Sequence, residues 1–313
     1  MAKKSGLQIK LEYAAVMVVA GTLGLLPRRL SLFISINIAR LGYHLAGGLR
    51  RVGMQNLEIA FPGMDEQERK RILKGTFENL GRVLGEFSQF YRTTPAKLAK
   101  IVDFELDQES VALYARHKAE GRGVLITTAH FGNWEMLVMG YAALHEPMAY
   151  LARPLDNPLI EDMTSRIRTR YGNQPINKTN AAMLGIRILR EGGLLGILSD
   201  VNAHPKEGVF VPFFGVPACT TSGAAMIAIR SSAWIYPTFC IWDKAAKKYR
   251  FIHGKLIEPA QTGDRKQDII TTTELYTAEI ERVIRQYPDQ WMWIHKRWKT
   301  RPPGEPDLYA KRR

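Results

Sequence analysis

Five short apolar runs punctuate the middle of the chain, and each is separated from the next by a stretch long enough for a helix. The runs cover 123–128 (GVLITT), 148–153, 193–199 (GLLGILS), 234–241 and 249–257. The helical stretches cover 133–144, 158–171, 181–191, 222–230 and 268–286. Parallel strands cannot be joined by a tight turn, and the crossover that joins them is usually a helix packed on the sheet. Alternation of this kind therefore predicts an α/β fold with a single, mainly parallel central sheet flanked by helices. A longer amphipathic helix is predicted over 65–92, entered through Pro62-Gly63-Met64-Asp65, with Ile72, Phe77, Leu84 and Phe87 on its apolar repeat.

The N-terminus obeys different rules. Residues 13–26 form an uncharged run of 14 residues, preceded by Lys3, Lys4 and Lys10 and followed by Pro27-Arg28-Arg29. About 20 apolar residues are needed to span a bilayer, so this run is short unless flanking charges snorkel. A cleaved leader would end in small residues, whereas here Leu-Pro-Arg-Arg follows, so an uncleaved anchor is expected. A second apolar segment, 30–49, carries Arg40 as its one charged residue. Together the two predict a helical hairpin that dips into or crosses a leaflet, with residues 1–60 as a membrane-anchoring region and 61–313 as the α/β domain. Charge is distributed to match. The chain is +14 overall, and residues 1–51 hold eight Lys/Arg against one acid while 285–313 hold eight against three. A nearly neutral body with two basic ends is expected to meet an anionic surface. Trp291, Trp293 and Trp298 interleave with Lys296, Arg297, Lys299 and Arg301. Beside an apolar N-terminus that pattern reads as an interfacial aromatic belt on anionic lipid and not as a nucleic-acid platform.

Reactive residues concentrate in His130-Phe131-Gly132-Asn133-Trp134-Glu135. The run 123–128 ends just before His130, and Asn133 suits the N-cap of the next helix. Five steps along a continuous helix would separate His130 and Glu135 by about 140°. Across a strand–turn–helix corner the two can converge, at the strand end where α/β sheets bind ligands. A His there can accept a proton from a hydroxyl while a carboxylate on the far ring nitrogen fixes its tautomer. Arg153, at the end of the next strand, is placed to bind phosphate or an oxyanion. Of Arg166, Arg168 and Arg170, one or two are expected to reach substrate. The run 209–216 suits either the lining of an acyl tunnel or a core turn. Cys219 and Cys240 read as buried packing thiols, no Cys/His cluster has zinc-ligand spacing, and neither metal nor cofactor is expected.

Further blocks follow the hexapeptide in order: Ala152-Arg153-Pro154-Leu155-Asp156-Asn157-Pro158, then Asp200 with Gly208-Val209-Phe210-Val211-Pro212-Phe213-Phe214-Gly215, then Pro288-Asp289-Gln290-Trp291-Met292-Trp293-Ile294-His295-Lys296-Arg297-Trp298-Lys299-Thr300-Arg301-Pro302. The set resembles the lipid A late (lauroyl/myristoyl) acyltransferases, the His-x4-Glu branch of the lysophospholipid acyltransferase-like superfamily. Members often carry Asp-Gln-Asp in the third block where this chain has Asp200-Val201-Asn202, which leaves Asp200 as the position carried over. The resemblance implies transfer of a fatty acyl chain from acyl carrier protein or acyl-CoA to a hydroxyl of an anionic membrane glycolipid, a lipid A precursor, with another glycolipid or aminolipid as the alternative acceptor. It implies work at the cytoplasmic face of a bacterial inner membrane. It makes His130 the general base and Glu135 its orienting partner, and places Asn133, Arg153, Asn157 and Asp200 at the substrate.

Overall fold

In a computed structural model, residues 4–104, 108–177 and 181–310 are described; Lys3 and the last three residues of the basic C-terminus lie outside them. The helices are α1 (Gly6–Leu25), α2 (Arg28–Leu45), α3 (Gly47–Ala60), α4 (Glu66–Gln89), α5 (Pro95–Leu98), α6 (Gln108–Ala119), α7 (Trp134–Leu144), α8 (Pro158–Arg168), α9 (Ala181–Arg190), α10 (Gly223–Ser231) and α11 (Arg265–Gln286). The strands are β1 (Val102–Phe104), β2 (Val124–Thr128), β3 (Ala149–Leu151), β4 (Gln174–Ile176), β5 (Leu194–Leu198), β6 (Gly208–Phe213), β7 (Val216–Thr221), β8 (Trp234–Asp243) and β9 (Lys248–His253). All five expected strands form. The short β1 and β4 and the β6–β7 hairpin were not foreseen.

Seven strands make one sheet in the order β1-β9-β8-β2-β5-β3-β4, and β6 and β7 form a separate antiparallel pair. Every pairing in the large sheet is parallel except β8 with β9. Strand β2 is buried along its whole length, as a central strand covered on both faces must be. Its side chains alternate between two cores. Leu125 packs with Leu195, Leu189 of α9 and Ile227 of α10. Val124 and Ile126 join Met136, Leu137 and Met139 of α7 on the opposite face. The result is a sheet between two helical layers.

The C-terminal tryptophans are not an interfacial belt. Trp291, Trp293 and Trp298 are all fully buried, and so is Arg297. The Trp291 and Trp293 rings pack edge to face at 4.6 Å, and Phe213 of the hairpin meets both Trp291 and Trp298. The 209–216 run forms most of strand β6 and the turn into β7, with Val211, Phe213 and Phe214 buried and Pro212 and Gly215 exposed. Arg297 can be buried because its guanidinium donates to the Cys219 carbonyl (2.9 Å) and the Thr220 hydroxyl (2.5 Å).

Helices α1 and α2 both pack against α4, and α2 does so in an inverted manner. The inward face of α2 carries Ser31 and Ser35, while Phe33 is 66% exposed and Leu45 75% exposed. Close approach to α4 is possible because α4 presents Gly81 and Gly85 one turn apart. A Cβ on Gly81 would lie 2.6 Å from the Ser35 carbonyl oxygen and 2.7 Å from the Ile36 Cα. Gly42 of α2 is different, since a Cβ there would meet nothing nearer than Phe77 at 4.0 Å. Gly81→Val should therefore lower stability in detergent solution by roughly 1–3 kcal/mol through overpacking. Gly42→Ala should be neutral or stabilise by up to about 1 kcal/mol through helix propensity. Chemical denaturation of both variants checks this; shifts of the same sign and size would contradict the packing described.

Candidate active site

Register brings the site together. Thr128, the last residue of β2, pairs with Leu198, the last of the adjacent parallel β5. The pairing continues one step further, with the Ser199 N–H donating to the Thr128 carbonyl at 2.9 Å. His130 and Asp200 each stand two residues beyond that matched pair, so the two side chains leave the sheet side by side. The Asp200 Oδ1 lies 2.9 Å from His130 Nδ1, and Oδ2 accepts the His130 backbone N–H at 2.9 Å. A third donor, Trp291 Nε1–H, reaches Oδ2 at 2.8 Å. The carboxylate is fully buried and has both oxygens engaged, whereas the His130 side chain remains 23% exposed.

These surroundings shift both groups. Burial opposes ionisation of Asp200, but the facing His130, its hydrogen bond, and the donor from Trp291 outweigh it and hold the carboxyl well below the usual range. For His130, burial works against the imidazolium. The Asp200 charge and hydrogen bond, with a contribution from Glu135, prevail and raise it above the ordinary histidine value.

The segment after His130 is locked from several sides. Gly132 adopts a left-handed φ of 58°, and a Cβ on it would sit 1.9 Å from the Cys240 carbonyl oxygen. Only glycine fits there. Its N–H donates to the Gln290 carbonyl (2.9 Å), its carbonyl accepts from Asn79 of α4 (2.7 Å), and the Met292 N–H donates to the His130 carbonyl (3.0 Å). The buried tryptophan segment therefore clamps the reactive turn as well as filling the core.

The positions expected from the sequence separate into two groups. Glu135 does lie near His130 but is not its hydrogen-bonding partner. Arg168 of α8 holds it in a two-pronged ion pair at 2.6 and 2.9 Å, the bidentate geometry that suits guanidinium and carboxylate. Asp200, and not Glu135, is the carboxylate on the Nδ1 side of the His130 ring, and it is fully buried. Asn133 is buried too, capping α7 by accepting from the Met136 N–H at 2.9 Å. Asn157 caps α8, and its amide donates to the Ile9 carbonyl (2.9 Å) and to Glu12 (3.1 Å), fastening α1 to α8. Neither asparagine is free for substrate. Arg153 is 72% exposed beside Asp156 and does not join the His130 cluster. The residue that sequence reasoning left unassigned is Arg168. Arg166 pairs with Asp162 on the surface, and Arg170 donates to the Phe90 carbonyl at 3.0 Å. Spacing on the helix could not single out which of the three arginines turns inward.

What remains accessible is an imidazole oriented by a buried carboxylate, with a carboxylate–guanidinium pair beside it, at the rim of a parallel sheet. That arrangement can draw a proton from a hydroxyl and hold the resulting imidazolium. Comparison with known proteins gives the family. Residues 1–300 match the family model described as bacterial lipid A biosynthesis acyltransferase. A lipid A biosynthesis lauroyltransferase of Escherichia coli (strain K12) is 30% identical over 256 residues, covering 82% of this chain and 80% of the relative. A palmitoleoyltransferase of lipid A biosynthesis from the same organism is 28% identical over 288 residues, 91% of this chain and 90% of the relative. A myristoyltransferase is 24% identical over 279 residues, with 88% and 84% covered. The family match takes in both the His130 turn and the tryptophan segment that clamps it: the chain belongs to the bacterial lipid A biosynthesis acyltransferase family and is an acyltransferase.

Proposed function

We propose that the enzyme transfers a fatty acyl group from the thioester of acyl carrier protein or acyl-CoA to a hydroxyl of a lipid A precursor of the Kdo2-lipid IVA type, with His130 as general base. The observation that carries this reading is the His130–Asp200 pair. With Nδ1 held by Asp200, Nε2 is the nitrogen left to take the acceptor hydroxyl's proton. The oxygen attacks the thioester carbonyl, the tetrahedral intermediate collapses, and the C–S bond breaks. The thiolate leaves with the proton returned from Nε2, so no acyl-enzyme forms. Asp200 is a positioning residue, and Glu135, itself fixed by Arg168, adds negative charge that favours the imidazolium.

Inverted α2 supports work at a membrane, since a helix that buries serine and exposes phenylalanine and leucine is suited to apolar surroundings. Helix α1, long and apolar enough to cross a membrane at a mean hydropathy of 1.2, adds to that surface. We place the enzyme at the cytoplasmic face of the bacterial inner membrane, where an acidic carrier protein and a phosphorylated acceptor would both meet its basic ends.

His130→Ala should lower the acylation rate by about 10²–10⁴-fold, the usual contribution of a general base. Mass spectrometry of the lipid product measures it, and acylation at the wild-type rate would sink the mechanism. Loss of one secondary acyl chain from lipid A in a deletion strain would fix the acceptor, whereas unchanged lipid A beside an altered second lipid would overturn it. The pH profile tests Asp200. Protonated His130 cannot act as a base, so the rate should climb with pH through a midpoint above about 6.5. Asp200→Asn removes the charge that raises His130; its midpoint should move to lower pH as the plateau falls. A midpoint that stays put or rises would contradict the assignment.

A further inference from the structure

Below the turn that joins α1 to α2 lies a cavity of about 490 Å³, bounded by Arg28, Arg92, Lys97 and Lys100. One carboxylate, Glu86, faces it, and that group is already engaged: Arg28 Nη2 lies 2.5 Å and Nε 3.2 Å from its two oxygens. The other three cations are left without an acidic partner among the described residues. Arg92 Nη1 donates to the Gly24 and Leu25 carbonyls at 3.1 and 3.3 Å, and Lys97 Nζ donates to the Arg92 carbonyl at 3.4 Å. Carbonyls satisfy donors and leave the charge uncompensated. Three like charges around one cavity repel one another unless an anion enters.

The rest of the wall is mostly apolar, with Leu26, Ile101 and Met136, and carries Gln89 and Thr93 as neutral polar groups. Leu25 at the rim is 72% exposed, and the two helices leaving this turn carry the exposed leucines and phenylalanine of the membrane-facing surface. A cationic cavity at the edge of an apolar face matches an amphiphile whose charge is a phosphate. At a bilayer such groups sit at the boundary between hydrocarbon and water.

We propose that this cavity binds the phosphate of a bilayer phospholipid and so seats the enzyme on anionic membrane. The inference rests on the membrane reading given above. The test is flotation of the full chain with phosphatidylcholine vesicles containing about 30% phosphatidylglycerol, against phosphatidylcholine alone. Lys97→Gln/Lys100→Gln removes two exposed cations from the cavity while leaving Arg28 and Arg92 in their structural contacts. Arg265→Gln/Lys266→Gln removes the same charge from α11, outside the cavity. The cavity variant should bind the anionic vesicles roughly tenfold more weakly or worse, because each basic group near such a surface is worth about 1 kcal/mol. The α11 variant should bind within about twofold of wild type.

Equal losses in the two variants would mean diffuse charge attraction and overturn the site, as would a cavity variant that binds like wild type. A third set of vesicles carries a diphosphorylated acyl-glucosamine disaccharide in place of phosphatidylglycerol. A loss confined to that set would assign the phosphate to the acceptor and overturn the bilayer source. A wild-type chain that floats with none of the vesicles would overturn the membrane reading itself, a result distinct from failure of the cavity alone.

Discussion

The structure turns on one buried carboxylate. Asp200 is fully enclosed and accepts from the His130 backbone, the His130 ring and the Trp291 indole. A charge in that position is tolerable only because each lone-pair direction that matters has a donor. The requirement runs outward from there. The two strand ends must stay in register for His130 and Asp200 to meet. The tryptophan segment must stay buried for Trp291 to reach the same oxygen. Gly132 must remain glycine for the turn to pass the Cys240 carbonyl. Core packing and reactive geometry are thus the same set of contacts, which explains why a tryptophan-rich segment far along the chain belongs to the site.

Much of this was legible in the sequence. The alternation of apolar runs and helical stretches located the five principal strands and the mainly parallel sheet. The reactive turn was placed at a strand end, and Asn133 was read as a helix cap. The partner of His130 was not legible. Glu135 is close in sequence, and Asp200 is 70 residues away. Choosing between them requires knowing that β5 lies beside β2, a neighbour relation that hydrophobic periodicity does not encode. The tryptophan segment was misread for a related reason. Interleaved aromatic and basic residues look alike whether they face lipid or core, and only the hydrogen bonds available to Arg297 decide that it is buried. Short strands such as β1 and β4, three residues each, leave no periodic signal to find.

Helix α2 distributes its side chains in the opposite sense to the helices that cover the sheet. In water a helix buries its leucines and shows its serines; α2 does the reverse, and glycines on α4 let the polar face approach closely. Polar contacts lead inward from this region. Arg28 pairs with the buried Glu86, which interacts electrostatically with Tyr249, and the Tyr249 hydroxyl accepts from the amide of Asn133 at 3.4 Å. The turn between the two apolar helices is therefore joined through buried groups to the cap of the helix that carries Glu135. The apolar helices and the reactive turn share a framework, although they occupy separate parts of the sequence.

The mechanism depends on the state of a single ring, and nitrogen-detected NMR of labelled His130 examines it most directly. With Nδ1–H donating to Asp200, the neutral imidazole should be the Nδ1–H tautomer, with Nε2 unprotonated and free to accept. Its titration should fall above the ordinary value of about 6.5. A neutral ring protonated on Nε2, or a titration at or below that value in the intact protein, would contradict the role assigned to Asp200.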